Sequence, residues 1–331
     1  MGNDYPRVFD HPDATSLEPG VVELDCLIVG AGPAGLTAAI YLSRFHRHVL
    51  VADAGNSRAN LIPLSHNYPG FPPGISGRDL LQRLREQARA YGADLEHGEV
   101  LALRPLDHGF EADLNGRRVK ARRVILATGI VDELPDMPLA HESVEQGRVR
   151  LCAICDGYEV NGDHVAVYGE AHCAIGHGVF LRTFTDRVTV VVHGEGEACE
   201  EAVRLAEHYG ITLIEDRVEA IRSRPDGTVE VTTCRGRSHV FDIVYPSLGS
   251  RVRSALAVQL GARIAEDGSV PVDARQRTSV PGLYAIGDVV DSLKQICVAA
   301  GQAAVCATAV HNSLEGRPWR RPPAAHPAPE A

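Results

Sequence analysis

The feature that most constrains this chain is that one of its units occurs twice. Residues Leu24 to Gly30 form a short apolar run ending in glycine, Pro33 stands at a helix start, a periodic stretch runs through Phe45, and His48 to Asp53 reads as a second strand. A second unit begins near His164, where His164 to Gly169 (HVAVYG) is a strand, Cys173 to Phe184 a helix and Arg187 to His193 the next strand. Laid on each other at a constant offset, the units pair Gly30 with Gly169, Gly35 with Ala174 and Phe45 with Phe184. Repeated βαβ units of this kind need parallel sheets covered by helices. The class expected is α/β with two Rossmann-like, dinucleotide-type domains, and 331 residues suit two such domains.

The remaining strands set the domain order. Arg123 to Gly129 (RVILATG) reads as a buried strand entering a glycine turn, and Asp132 to Pro138 as a proline-containing linker. After the second unit, Asp242 to Ser250 is expected to return toward the first domain, and Gly282 to Asp288 (GLYAIGD) is another strand ending in glycine and an acid. The second domain is therefore expected to be inserted in the first. The divisions are an N-terminal extension over 1–20, a first nucleotide-binding part over 21–135, the second domain over 136–249, the rest of the first over 250–315 and a tail over 316–331. That tail is proline-rich and is expected to be unstructured, Trp319 included.

A formal charge of -10 argues against a nucleic-acid partner, because affinity for phosphate backbones comes mostly from Lys and Arg. No apolar run approaches membrane-spanning length, and the polar start lacks the pattern of a signal peptide. Eight scattered cysteines then fit reduced cytoplasmic thiols better than a disulfide scaffold.

GAGPAG at Gly30 to Gly35 lies between a strand and a helix, with Asp53 about 20 residues on, the context that a dinucleotide fingerprint needs. Gly30 permits the tight turn, Gly32 lets the backbone approach a pyrophosphate, and Gly35 allows close helix packing, while the helix that opens at Pro33 and Ala34 offers free amides to the anion. Asp53 is expected to accept hydrogen bonds from an adenosine ribose.

Cys152-Ala153-Ile154-Cys155-Asp156-Gly157 places a CxxC directly before the second unit. Zinc would need two more ligands, and no second CxxC or HxxxH exists. His172, Cys173 and His177 cluster nearby, yet the two histidines are not on one helical face, so no metal is expected. Redox chemistry is the stronger reading, against a pair of buried unreactive thiols.

Taken together, GAGPAG, ATG at Ala127-Thr128-Gly129, CAICDG and Gly287-Asp288 resemble, in that order, the FAD and active-site motifs of low-molecular-weight thioredoxin reductases over about residues 24 to 315. The resemblance implies that FAD is the first cofactor, with Asp288 on its ribitol and a helix opening at Gln295 and Ile296 aimed at the flavin ring. Val100 and Asn67 would also contact the cofactor, the latter from a stretch, Asn67 to Phe71 (NYPGF), that resembles the family's flavin-flanking loop, although His66 replaces a Glu there. Lys294 stands where that family usually has Arg, either as a compensating charge or as an ordinary surface lysine. By motif position, Cys155 would face the flavin, Cys152 would exchange with the substrate disulfide, and Asp156 would move the thiol proton, with a plain helix N-cap as the competing role for Asp156. A homodimer is implied in the same way, as is a rotation of the thiol-bearing domain that brings either the CxxC or the nicotinamide to the flavin; if the nicotinamide is not used, the protein is expected to rest with Cys155 against the flavin.

The second unit departs from that pattern. Gly32 becomes Ala171 and Asp53 becomes Val192, and the chain reads Gly169-Glu170-Ala171-His172-Cys173-Ala174 where thioredoxin reductases carry a GGGNTA-type motif. His193-Gly194-Glu195 replaces the arginine run that holds the NADPH 2'-phosphate, and Glu195 would repel it. NADPH is therefore not expected as donor, while NADH stays open. The expected enzyme couples FAD to a thioredoxin-like protein or a small dithiol or disulfide through Cys152 and Cys155. A ferredoxin-like donor, a second flavin or oxygen would stand at the other end of the electron path. The alternatives are a dithiol oxidase with oxygen as acceptor, although the family's small-molecule dithiol oxidases carry His where this chain has Asp156, and a flavin-based redox sensor.

Overall fold

A computed structural model describes residues 23–194 and 198–316. The expectations for residues 1–20, for Glu195 and for the tail with Trp319 lie outside them. Strand β1 (Glu23–Val29) is apolar apart from Glu23 and Asp25 and buried after its first residue, the profile of a strand covered on both faces. It turns at Gly30 into helix α1 (Pro33–Arg44), and strand β2 (Val49–Asp53) follows in parallel register, Cys26 opposite Val49. Helix α2 (Gly77–Ala90), capped by the Ser76 hydroxyl on the Asp79 amide, leads to β3 (Asp94–His97), which pairs in parallel with β2.

The antiparallel strands β4 (Val100–Leu106), β5 (Gly109–Leu114) and β6 (Arg117–Leu126) then bring β6 back alongside β1, where it pairs in parallel. The short β7 (Ile130–Asp132) leaves this sheet, and helices α3 (Ala140–Glu145) and α4 (Ala153–Asp156) precede the second unit. That unit is β8 (Val165–Gly169), α5 (Ala171–Leu181) and β9 (Val188–Val192). It continues through α6 (Glu200–His208), β10 (Thr212–Ile214), an antiparallel meander of β11 (Val218–Ser223), β12 (Val229–Thr233) and β13 (Ser238–Phe241), and β14 (Ile243–Ser247).

The parallel order β10-β9-β8-β14 makes a second sheet. Its fourth strand lies within Asp242 to Ser250, so most of that stretch stays with the second sheet. The return is made instead by β15 (Ser250–Val252), which pairs antiparallel with β7. Past α7 (Ala255–Gln259), strand β16 (Leu283–Ala285) adds to the first sheet beside β6, and α8 (Ile296–Asn312) packs on α1. The molecule is thus an α/β protein of two Rossmann-like units, the second inserted in the first. Separate apolar cores lie on the two faces of the first, mixed sheet and of the second, parallel one. Among the described residues no helix is long and apolar enough to cross a membrane.

Candidate functional site

The C-terminal ends of β1, β2, β6 and β16 open into one cleft of about 730 Å3, the place where parallel α/β sheets hold ligands. Its wall includes Gly30, Gly32, Pro33, Ala34, Asp53, Asn67, Val100, Ala127, Thr128, Gly129, Gly287, Asp288, Lys294, Gln295 and Ile296, together with Cys152, Cys155 and Asp156. The glycines of the fingerprint divide their work. Gly30 has φ +110°, and a Cβ there would stand 2.3 Å from the Ala127 carbonyl oxygen. Gly35 does not line the cleft: a Cβ would stand 1.9 Å from the Gly30 carbonyl oxygen, so this glycine serves the close helix packing expected of it. Around Gly32 only the Ser57 hydroxyl comes near, at 3.4 Å, so the protein's own packing does not require a glycine there. The missing side chain leaves a cradle at the mouth of α1, whose first turn has no side-chain cap, and a pyrophosphate fits both features.

Asp53 and Asp288 of the cleft, and Asp132 outside its lining, each have an arginine partner far away in sequence. Asp53 accepts from the Gly55 amide at 2.8 Å and from Arg85 Nη2 at 3.1 Å. Arg58 binds both Asp132 oxygens, at 2.6 and 3.0 Å, and its Nη1 lies 3.8 Å from Asp288. Burial raises the Asp288 carboxyl above its usual range, and Arg58 and Lys294 oppose the shift. The Gly287 amide donates to Gln302 at 2.7 Å, and the Thr128 hydroxyl to the Arg253 carbonyl at 2.7 Å.

Cys152 and Cys155 form a disulfide in the cleft wall. The Gln295 side chain reaches both sulfurs, with Nε2 at 3.4 Å from Cys152 Sγ and 3.3 Å from Cys155 Sγ, and its Oε1 accepts from Asn67 Nδ2 at 3.0 Å. Asp156 closes α4 and its side chain caps nothing, so the N-cap role falls away. Its Oδ1 accepts from the Tyr245 hydroxyl at 2.7 Å, and Arg150 holds its backbone carbonyl at 3.0 Å. Burial pushes this carboxyl up to about 6, against the lowering effects of the Tyr245 hydrogen bond and the Arg150 charge.

The sequence profile of the pyridine nucleotide-disulphide oxidoreductase family matches residues 24–303. The chain belongs to that family. Among curated relatives, the thioredoxin reductase of Treponema pallidum is 30% identical over 308 residues, 88% of this chain and 98% of the relative. Among solved structures, the thioredoxin reductase of Streptococcus pyogenes superposes with a TM-score of 0.81 at 27% identity, covering 88% of this chain and 97% of the other. The crystal structure of HlmI gives 0.80 at 30% identity, covering 88% and 92%.

As a member of the pyridine nucleotide-disulphide oxidoreductase family, the chain is a flavin-dependent oxidoreductase acting on a disulfide, and its two nucleotide units are unequal. At α1 the cap is Gly32, with no side chain. At α5 the cap is Glu170, whose carboxylate accepts from the His172 and Cys173 amides, both at 3.2 Å. Those hydrogen bonds hold the Glu170 carboxyl below the usual range. A carboxylate of the protein thus sits on the amides that a pyrophosphate would use. Val192 ends β9 in the core, and the next residue, His193, is bonded to the Tyr168 hydroxyl at 2.6 Å. Sequence reading missed Arg58, Arg85 and Tyr245, which act over long separations, and Arg150, which lies only six positions from Asp156. It also missed Glu170 as a cap, although that signal is local.

Proposed function

We propose that this protein is an FAD-dependent dithiol/disulfide oxidoreductase of thioredoxin reductase type that works through Cys152 and Cys155 without relying on NADPH. The observation that carries the reading is the Cys152–Cys155 disulfide in the wall of the same cleft as the Gly30–Gly32 cradle. FAD would be held by the amides at Gly32 and Ala34, by Asp53 and Asp288, and by the opening of α8 at Gln295 and Ile296. Bound there, it supplies a two-electron acceptor or donor beside the sulfur pair.

The chain's own residues do the rest. A substrate thiolate attacks Cys152 Sγ, the Cys152–Cys155 bond breaks, and Cys155 is left as a thiolate facing the cleft. The second substrate sulfur attacks the mixed disulfide, the substrate leaves oxidised, and the pair holds the two electrons. Asp156 takes the proton of the incoming thiol, and its carboxyl, near 6, is matched to that task close to neutral pH. The steps reversed reduce a thioredoxin-like or small-molecule disulfide.

Independence from NADPH is supported by Glu170 on the α5 amides, by Ala171 in place of a glycine, and by Val192 in place of the ribose acid. NADH remains a weaker candidate donor. The other end of the electron path is then a ferredoxin-like protein, a second flavin or oxygen. On the same reading the enzyme is cytoplasmic and works as a homodimer. Titrating the anaerobic flavoprotein with dithiothreitol tests the thiol route. The wild type is expected to bleach and a Cys155→Ser variant to stay yellow; equal bleaching of both sinks the proposal.

A further inference from the structure

The Gln295 side chain makes contacts that flavin binding through the start of α8 does not explain. Its amide Nε2 stands between the two sulfurs, and its Oε1 is tied to Asn67 Nδ2. Asn67 Oδ1 in turn accepts from the Ser65 hydroxyl at 3.2 Å, and Asn67 Nδ2 also faces the Ile154 carbonyl oxygen at 3.5 Å. A carbonyl oxygen can only accept, so the side of Asn67 that faces Ile154 is the NH2 group. That same NH2 group meets Gln295, which makes the near atom of Gln295 its oxygen and leaves its NH2 group toward the sulfurs. Turning both amides over would set a carbonyl oxygen of Asn67 against that of Ile154 and the Gln295 oxygen against both sulfurs. The orientation is therefore fixed from outside the thiol pair. Ser65 is itself anchored, its backbone paired in both directions with Ile75.

We propose that the Gln295 carboxamide, oriented by Asn67 and Ser65, donates a hydrogen bond to the reduced Cys152–Cys155 pair and holds one of its sulfurs as the thiolate. This rests on the reading of the pair as redox-active. An external dithiol gives up two electrons and two protons in the exchange and becomes a disulfide. The Cys152–Cys155 bond takes the electrons and breaks. One proton ends on a protein sulfur and the other passes to solvent through Asp156, so one protein sulfur keeps a negative charge. An N–H donor beside that charge favours it, and an apolar side chain there does not. Gln295 touches the reacting sulfurs and is a catalytic residue on this account; Asn67 and Ser65 are positioning residues.

The test is the pH dependence of iodoacetamide alkylation of the dithiothreitol-reduced holoprotein, read by mass spectrometry on the peptide that carries Cys152 and Cys155. Replacing Gln295 by leucine (Gln295→Leu) is expected to raise the midpoint by about one pH unit, a roughly tenfold loss of thiolate below it. Asn67→Leu leaves Gln295 in place but free to turn, and is expected to move the midpoint in the same direction by less. It also carries the test if Gln295→Leu does not fold. An unmoved midpoint in the folded variants overturns the proposal, and a shift in Gln295→Leu alone overturns the orienting role of Asn67. If the wild-type peptide gains no alkylatable thiols on reduction, the redox reading of the pair fails instead.

Discussion

At the scale of single residues, Asp156 and Tyr245 decide the proton chemistry. Asp156 is raised to about 6 mainly by burial, while the Tyr245 hydroxyl stabilises its charged form at 2.7 Å. Dithiol oxidation needs the carboxylate, so its rate is expected to rise with pH through about 6 and to fall below it. Tyr245→Phe removes a donor to the carboxylate, so the inflection should move to higher pH, as stopped-flow exchange rates would show. Asp156→Asn should abolish the inflection and slow exchange by roughly 10²-fold or more. Stability should move the other way. A carboxyl raised in the folded state gives stability that is present below its unfolded value and lost as pH rises through about 6. Asn keeps the Tyr245 partner without the buried charge, so Asp156→Asn is expected to gain about 1–3 kcal/mol at neutral pH in denaturant melts. Gly, Pro and Cys at fixed spacings made the thiol pair and the first cradle legible in the sequence, because turn and motif chemistry is local. Tyr245 was not legible, since it reaches Asp156 from 89 positions away. Arg58 likewise reaches Asp132 across 74 positions.

At the scale of elements, α1 and α5 are the same device with opposite caps. Gly32→Ala meets only the Ser57 hydroxyl, so thermal melts of the apoprotein should change by less than about 0.5 kcal/mol while flavin content falls. Gly35→Ala drives a Cβ into the Gly30 carbonyl, and a loss of about 1–3 kcal/mol or more is expected in the same melts. If Gly32→Ala purified with full flavin and Gly35→Ala melted like the wild type, the division of labour between these glycines would be wrong. At α5, Glu170→Gly combined with Ala171→Gly uncovers the His172 and Cys173 amides. Calorimetry should then detect tighter nicotinamide dinucleotide binding than in the wild type; equal binding by both proteins would mean that Glu170 does not block the site. The loss of Gly32 and Asp53 counterparts in the second unit was plain from the repeat. The role of Glu170, one position before Ala171, was not, because its cap shows only once the carboxylate is seen on the His172 and Cys173 amides.

At the scale of the molecule, the two units meet at the cleft, and the chain passes between them through the paired β7 and β15. Arg58 ties that ribbon, through Asp132, to the first unit beside Asp288. The repeat predicted two parallel sheets; the second is parallel, and the first is parallel over β3-β2-β1-β6-β16 with β5 and β4 added antiparallel. The return to the first unit came at Ser250–Val252 and not over the whole of Asp242 to Ser250, because the apolar stretch Ile243–Ser247 pairs with β8 in the second core. The central claim is that electrons reach the flavin from a dithiol and not from NADPH. Its most direct test is the flavin spectrum of the purified, oxygen-free protein after separate additions of NADPH, NADH and dithiothreitol. Bleaching by dithiothreitol with none by NADPH is the predicted result; fast bleaching by NADPH would contradict it and restore the second unit as a working nucleotide site.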